Sequence, residues 1–262
     1  GDGGDELFGG YTRYVETIAR ANHPDPSPIS QRLMRAALPR LPRHALKGWK
    51  LARNIRRRLM TPEELYVDSL GCVDSRDRAA LGGPRSGFAE HGDAIERALC
   101  DQMRGDGDLA ARMMSLDFAN YLPQLILHKV DRASMLNSLE ARSPFLDHRL
   151  IEWSQSVPLK YKLGNAGQKL LVKRSLVGRV PEELLTRSKM GFGTPLGRWF
   201  RHELSEYLRD HLGSSQLAAA GWLNQGELDR MLATHQRRSR NLGEALWSLL
   251  TLEVWYRNWI AT

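Results

Sequence analysis

The stretch LAARMMSLDFANYLPQLILHKVDRASMLNSLEA, residues Leu109 to Ala141, carries Met113, Leu116, Leu122, Leu125, Ile126, Val130, Met135 and Leu139 at helical spacing. That period predicts a central helical pair, bent at Pro123 where a backbone donor is missing, and ending before Ser143-Pro144. The fold class follows from this stretch: no run elsewhere reads as a strand longer than a few residues, and no fixed-period repeat is present. The chain reads as mainly α.

Outward from the central stretch the same style continues. Glu6 to Ala19 predicts a helix, broken by Pro24, Pro26 and Pro28, and residues 30 to 60 predict short amphipathic helices divided at Pro39 and Pro42. Thr61-Pro62-Glu63-Glu64 is a helix start: a capping hydroxyl, proline at the first helical position, and acids facing the positive dipole end, with Gly71 as its close. Gly82 to Gly92 and Gly105 to Asp108 read as loops rather than domain linkers. Downstream, Asp147 caps a helix through Val157, a loop at Gly164 to Gly167 leads into a helix from Gln168 to Leu176, and Pro181 starts another. The last third predicts helices over Trp199 to Leu212, Gln225 to His235 and Gly243 to Ile260, with Trp247, Trp255, Tyr256 and Trp259 assigned to the core.

With 42% hydrophobic and 26% charged residues among 262, the composition excludes collagen-like, mucin-like and coiled-coil chains. The 38 Lys and Arg less 30 Asp and Glu leave +8, but residues 31 to 60 alone hold ten cations and no acid. The basic excess is therefore one band, which carries no information about a reaction elsewhere. Cys72 and Cys100 are too few for a disulfide framework, leaving at most one optional pair. No apolar run approaches the roughly 18 residues of a membrane span, and the start lacks the layout of a signal peptide, so a cytoplasmic location is expected.

Four clusters could carry chemistry. The first, Gly1-Asp2-Gly3-Gly4-Asp5-Glu6, sets carboxylates among glycines that let a backbone approach a ligand, a combination suited to Mg²⁺ bound with phosphates. It lacks the spacing of an EF-hand and the Gly-Lys-Ser/Thr of a Walker A loop, and a plain helix-capping turn would look the same. Lys129 to Met135 and Leu139 to Asp147 alternate charges, which ordinarily means surface pairs. Gly164 to Lys169 puts a cation at a helix start, where it is unfavourable without an anion. The last, Arg187 to Leu196, is a glycine-rich turn entered through two cations.

Taken in order, the four clusters resemble the synthetase region of the asparagine synthetase B family, whose hallmark reads Ser-Gly-(Glu/Asp)-Gly-x-Asp-Glu-(Leu/Val)-Phe-Gly-Gly-Tyr. Gly1 to Tyr11 matches all of it but the first Ser, and the likeness runs on through KVDRASM, SLEARSPFLDHRL, Gln168-Lys169 to Arg174, and Lys189 to Pro195, covering roughly residues 1 to 205. The resemblance implies the C-terminal helical part of an α/β ATP-pyrophosphatase synthetase domain. It implies a ligase in which ATP adenylates the aspartate side chain and ammonia, released from glutamine by a separate N-terminal glutaminase domain, displaces AMP. Residue by residue, Asp5 matches the Mg²⁺-binding aspartate, and Asp2 the acid that assists ammonia attack, with Asp where Glu is commoner. Glu140 falls on a Glu-Ala-Arg motif used in proton transfer by related β-lactam-forming enzymes, and Lys169 on the lysine that stabilises charge on the reacting phosphate and acyl oxygens. Gly1, Gly3, Gly4, Asp131, Arg142 and Lys189 are expected to line the ATP site.

Two departures accompany the match. The family's phosphate loop, Ser-Gly-Gly-x-Asp-Ser, and a glutaminase domain are both missing from these 262 residues, so the chain reads as part of a longer parent and is expected to be inactive alone. A homodimer is among the assemblies the sequence allows. Other readings stand beside the ligase: an amidotransferase of a polysaccharide or natural-product pathway, a nucleic-acid-binding module resting on Arg32 to Arg58, and a helical interaction protein without catalysis. The basic band lacks interleaved aromatics beyond Trp49 and any base-reading motif, which disfavours nucleic acid.

Overall fold

A computed structural model describes residues 2–41, 46–164, 167–187 and 193–261. The chain forms two compact units, one of Gly1–His23 with Leu99–Gly191 and one of Pro24–Ala98 with Phe192–Thr262. Neither the loop after Gly82 nor the break at Gly105 is a boundary between them. Both units are helical, and the strands among the described residues are one antiparallel pair, Leu163–Gly164 with Gly167–Gln168. No helix among the described residues is long and apolar enough to cross a membrane.

The first unit starts with two helices where one was expected. Gly4–Phe8 ends because Gly9 turns left-handed at φ 68° and Gly10 donates its N–H back to the Asp5 carbonyl at 2.8 Å, so the chain restarts as Thr12–Ala21. The central stretch is Leu109–Leu116, then a π-helix over Asp117–Leu127, then His128–Met135. Pro123 thus sits within a widened turn. The helix stops at Met135, short of Ala141: Ser138 adopts φ 56°, Leu139 donates to the Ser134 carbonyl and Ser138 to that of Met135, the paired bonds of a Schellman end. Asp147 caps His148–Ser156 through the Arg149 N–H, as expected. Leu7, Phe8, Tyr14, Met113, Leu116 and Leu122 make the core of this unit.

In the second unit, Thr61 and Glu64 close a full capping box on Pro62–Leu70. The expected loop from Gly82 to Gly92 is shorter, because a helix begins at Phe88 and runs to Gln102; Gly92 lies inside it, where a Cβ would collide with the Arg78 guanidinium. The expected helix from Trp199 to Leu212 is split into Leu196–Trp199 and Ser205–Leu212. On Gly243–Trp259 the leucine face of Leu246, Leu249 and Leu250 fills the core, and Trp247, Trp255 and Trp259 are 47, 49 and 73% exposed, contrary to the core placement predicted for them. Cys72 and Cys100 are not joined in a disulfide.

His235 is fully buried in this unit. Its Nε2 faces the Gly197 carbonyl at 3.1 Å and its Nδ1 accepts the Leu242 N–H at 3.0 Å, the pattern of a neutral ring. Burial foremost, with the Arg201 charge behind it, pulls its pKa from 6.5 down to about 4. A histidine bound neutral contributes stability that is complete above its unfolded pKa and is lost as pH falls toward the folded one. Urea unfolding should therefore show about 2 kcal/mol less stability at pH 5 than at pH 7. His235→Gln should flatten that slope, and an equal slope in both proteins would remove His235 as its cause.

Candidate functional site

The first cluster folds onto parts of the second and third within the first unit. Gly3 takes φ 85°, and the space a Cβ would need is filled by Leu146, whose Cδ2 would lie 2.4 Å from it. Gly4 is backed by the Phe145 ring, with the Lys169 Nζ 3.7 Å from where its Cβ would be. In this structure the two glycines thus admit protein side chains from the SPFLD segment. Gly10 serves the same end more stringently: a Cβ there would stand 1.8 Å from Asp5 Oδ1 and 2.2 Å from Lys169 Cε.

Across Gly10, Lys169 Nζ reaches Asp5 Oδ1 at 3.0 Å, both side chains keeping about a quarter of their surface in solvent. Lys169 itself adopts φ 52°, ψ 38°, the left-handed region that a non-glycine residue occupies at a cost on the order of 1 kcal/mol. The helix it precedes, Leu170–Ser175, is set by the hairpin before it, where the Leu170 N–H bonds the Lys162 carbonyl at 3.1 Å. Asp2 lies beside Ser143, whose hydroxyl donates to its Oδ2 at 3.4 Å. Asp2, Asp5, Ser143 and Lys169 therefore gather carboxylates and a cation at the start of one short helix.

Three predicted residues sit apart from this gathering. Glu140 and Arg142 pair with each other at 2.7 Å on the segment after Ser138, 70 and 80% exposed, and Asp131 is exposed on His128–Met135. None of the three shares a hydrogen bond or ion pair with Asp2, Asp5 or Lys169 among the described residues. Gly1 and Lys189 lie outside the described residues.

Beneath the accessible carboxylates is a layer to which sequence reasoning assigned no role. Glu6 is buried and accepts the Tyr11 hydroxyl at 2.7 Å; burial raises its pKa, against the pull of that hydrogen bond. Tyr11 is held strongly in its neutral form, first by burial and then by the same carboxylate. Arg13 stacks over the Tyr11 and Tyr121 rings at 4.0 and 4.4 Å and bonds the buried Asp117 at 2.6 Å, which also accepts the Tyr14 hydroxyl at 2.6 Å. Only the Glu6 and Tyr11 letters of the first motif signal this layer; Asp117, on the π-helix, carries no local mark of it. Rings and paired charges hold the base of the helix rigid, so that Asp2 and Asp5 are presented on a fixed support.

Among the described residues no group of three or more His, Cys, Asp or Glu side chains converges to hold a metal ion. Asp5, with Asp2 near it in sequence, fits a different mode, in which a hard cation takes one or two protein carboxylates and the rest of its ligands from a phosphate substrate and water.

The comparisons with known proteins agree with one another. The family model for asparagine synthase matches residues 1–257. A protein of Mycobacterium bovis (strain ATCC BAA-935 / AF2122/97) named putative asparagine synthetase (glutamine-hydrolyzing) is 32% identical over 259 residues, 98% of this chain and 38% of that protein. Asparagine synthetase (glutamine-hydrolyzing) 1 of Bacillus subtilis (strain 168) is 26% identical over 258 residues, 98% of this chain and 39% of its own length. The chain thus spans well under half the length of these relatives. No solved structure matches.

Proposed function

The chain belongs to the asparagine synthase family, and from that premise we propose that it supplies the helical side of the synthetase site in an ATP-dependent, glutamine-hydrolysing, amide-forming ligase. The acceptor in this reading is aspartate. The observation that supports it most is the 3.0 Å pairing of Lys169 with Asp5 across Gly10, which joins two motifs distant in sequence.

The proposed chemistry has two steps. The aspartate side-chain carboxylate attacks the α-phosphorus of ATP and pyrophosphate leaves; ammonia then attacks the acyl carbon, the bond to AMP breaks, and asparagine forms. Lys169, a cation already positioned, steadies negative charge as it develops on the phosphoryl and acyl oxygens. Asp2 accepts the proton that the attacking nitrogen sheds, with the Ser143 hydroxyl orienting its carboxylate. Asp5 would hold Mg²⁺, which neutralises the triphosphate when bound. Glu140 and Arg142, exposed in this structure on the segment after Ser138, would reach the site by closure of that segment, and Asp131, exposed on His128–Met135, is given no part in the two steps.

A polypeptide of the relatives' length containing this chain, given aspartate, glutamine and ATP with Mg²⁺, is expected to form AMP, pyrophosphate and asparagine in equal amounts. The 262 residues alone, which lack Ser-Gly-Gly-x-Asp-Ser, are expected to release no pyrophosphate. Lys169→Met in the long polypeptide should lower turnover by about 100-fold or more, the scale of losing one charge-stabilising donor. No AMP formation with aspartate would overturn this acceptor assignment, and turnover by Lys169→Met within tenfold of the parent would overturn the role given to the lysine.

A further inference from the structure

The helix Pro28–Ala37 of the second unit buries no side chain fully. Its start is set locally, by Pro28 at the first helical position and by the Ser27 hydroxyl, which accepts the Ser30 N–H at 3.3 Å. Ile29 and Leu33, four residues apart and so on one face, are 74 and 67% exposed, and Ala36 continues their stripe. Arg32 and Arg35, also exposed, run alongside it. The helix Leu46–Leu59 packs against this one and repeats the mixture, with Leu51 50% exposed next to Lys50. Arg56 is neutralised within the unit by Asp68 and Asp74, whereas Arg32, Arg35, Lys50, Arg53 and Arg57 have no ion pair with an acid among the described residues.

A short helix in a protein draws most of its stability from packing its apolar stripe. Here the stripe is turned to solvent, and the charge around it says what would cover it. A second copy would set cations against cations. Nucleic acid would meet the arginines and leave Ile29 and Leu33 in water. A protein interface gathers its apolar residues in a centre depleted of charge, but Ile29, Leu33 and Leu51 each have a cation within three residues. An anionic bilayer surface suits both kinds of side chain: aliphatics enter the acyl boundary, and Arg and Lys stems lie beside them with their charges among the headgroup phosphates. We propose that the outer face of Pro28–Ala37 and Leu46–Leu59 docks on an anionic phospholipid surface, the protein lying on the membrane. None of the residues given roles in amide formation falls between Pro28 and Leu59, so this surface stands without the ligase reading.

The test is co-sedimentation of the 262-residue chain, and of the longer polypeptide containing it, with vesicles of phosphatidylcholine alone or with about 30 mol% phosphatidylglycerol. Both proteins should bind the anionic vesicles at least tenfold tighter than the neutral ones, and the binding should weaken at least tenfold between about 0.05 and 0.5 M NaCl. Arg32→Gln with Arg35→Gln should weaken it at least tenfold, and Ile29→Ser with Leu33→Ser at least fivefold. Arg209→Gln with Arg237→Gln removes the same charge from exposed positions elsewhere in the unit and should change binding less than threefold. All three pairs should keep the parent's Tm, since none of these side chains is buried. Equal or absent binding to the two vesicle types, or parent-like binding by either the arginine or the serine pair, would overturn the proposal. A short RNA that releases the chain from vesicles at equal phosphate concentration would make the band a nucleic-acid surface instead. Binding by the short chain that the longer polypeptide lacks would assign the face to the rest of the parent and overturn it as well. None of these outcomes involves AMP formation, so this surface and the ligase reading fail separately.

Discussion

Gly10→Ala is expected to leave the chain folded and the proposed site disabled. The added Cβ would fall 1.8 Å from Asp5 Oδ1 and 2.2 Å from Lys169 Cε, a space that cannot be shared. Both obstructing groups are side-chain ends that can swing aside, and Gly10 does not occupy the left-handed region, so the backbone need not move. The Asp5–Lys169 pair, held in partial solvent, contributes about 1 kcal/mol or less, and the stability of the 262-residue chain should change by no more than that. Turnover in the longer polypeptide should fall by about 100-fold, because displacing a charge-stabilising group by an ångström costs on that scale. Full activity would show that the pairing across Gly10 has no part in the reaction. Loss of fold in the short chain would show instead that Gly10 is there for the backbone.

The contrast between Gly10 and Lys169 also shows what a linear reading could reach. The residue types of the site were legible: carboxylates among glycines, then a lysine before a helix, in an order that four motifs repeat. Which of them meet was not, because Lys169 comes to Asp5, and Ser143 to Asp2, only when the chain closes on itself. The glycines illustrate the ambiguity, since a missing Cβ reads equally as room for a phosphate and as room for Leu146.

For the fold, readings that depend on a few neighbouring residues succeeded and those that depend on the rest of the unit did not. Thr61 with Glu64 and Asp147 with Arg149 are closed within one turn, and both caps form as expected. Ser138 ends the central helix in a left-handed conformation that serine seldom signals, so the period appeared to run on through Leu139. The Gly243–Trp259 helix is apolar around most of its circumference, and periodicity alone could not choose between its leucine face and its tryptophan face. Packing chose the leucines, which interdigitate with Leu208, Leu212 and Leu228.

On that same helix, Glu253 is expected to be the most costly single residue of the second unit to remove. It is fully buried, and its carboxylate accepts the Ser215 hydroxyl at 2.6 Å, the Gln216 and Leu217 N–H groups at 2.8 and 3.2 Å, and Arg257 Nε at 2.7 Å. One side chain thus satisfies the first two open amides of Gln216–Ala219, holds the loop before it through Ser215 and anchors Arg257, whose other nitrogen bonds the His211 and Ser214 carbonyls. Alanine would leave the buried Ser215 hydroxyl and two amides without their partner and take from Arg257 its only carboxylate among the described residues, so Glu253→Ala should cost roughly 3–5 kcal/mol. Glutamine keeps the shape and gives up the charge, and Glu253→Gln should cost roughly 1.5–3 kcal/mol. Burial alone would raise the Glu253 pKa, but the bonds from Ser215, Arg257 and the two amides outweigh it and hold the pKa below its ordinary 4.5. A depressed carboxylate contributes stability that is present above the unfolded pKa and lost as pH falls below it, a window lower than the one assigned to His235. Urea unfolding of both variants at pH 7 checks the ranking, and a loss under 1 kcal/mol for the alanine variant would show that water replaces the carboxylate and that this junction is not closed.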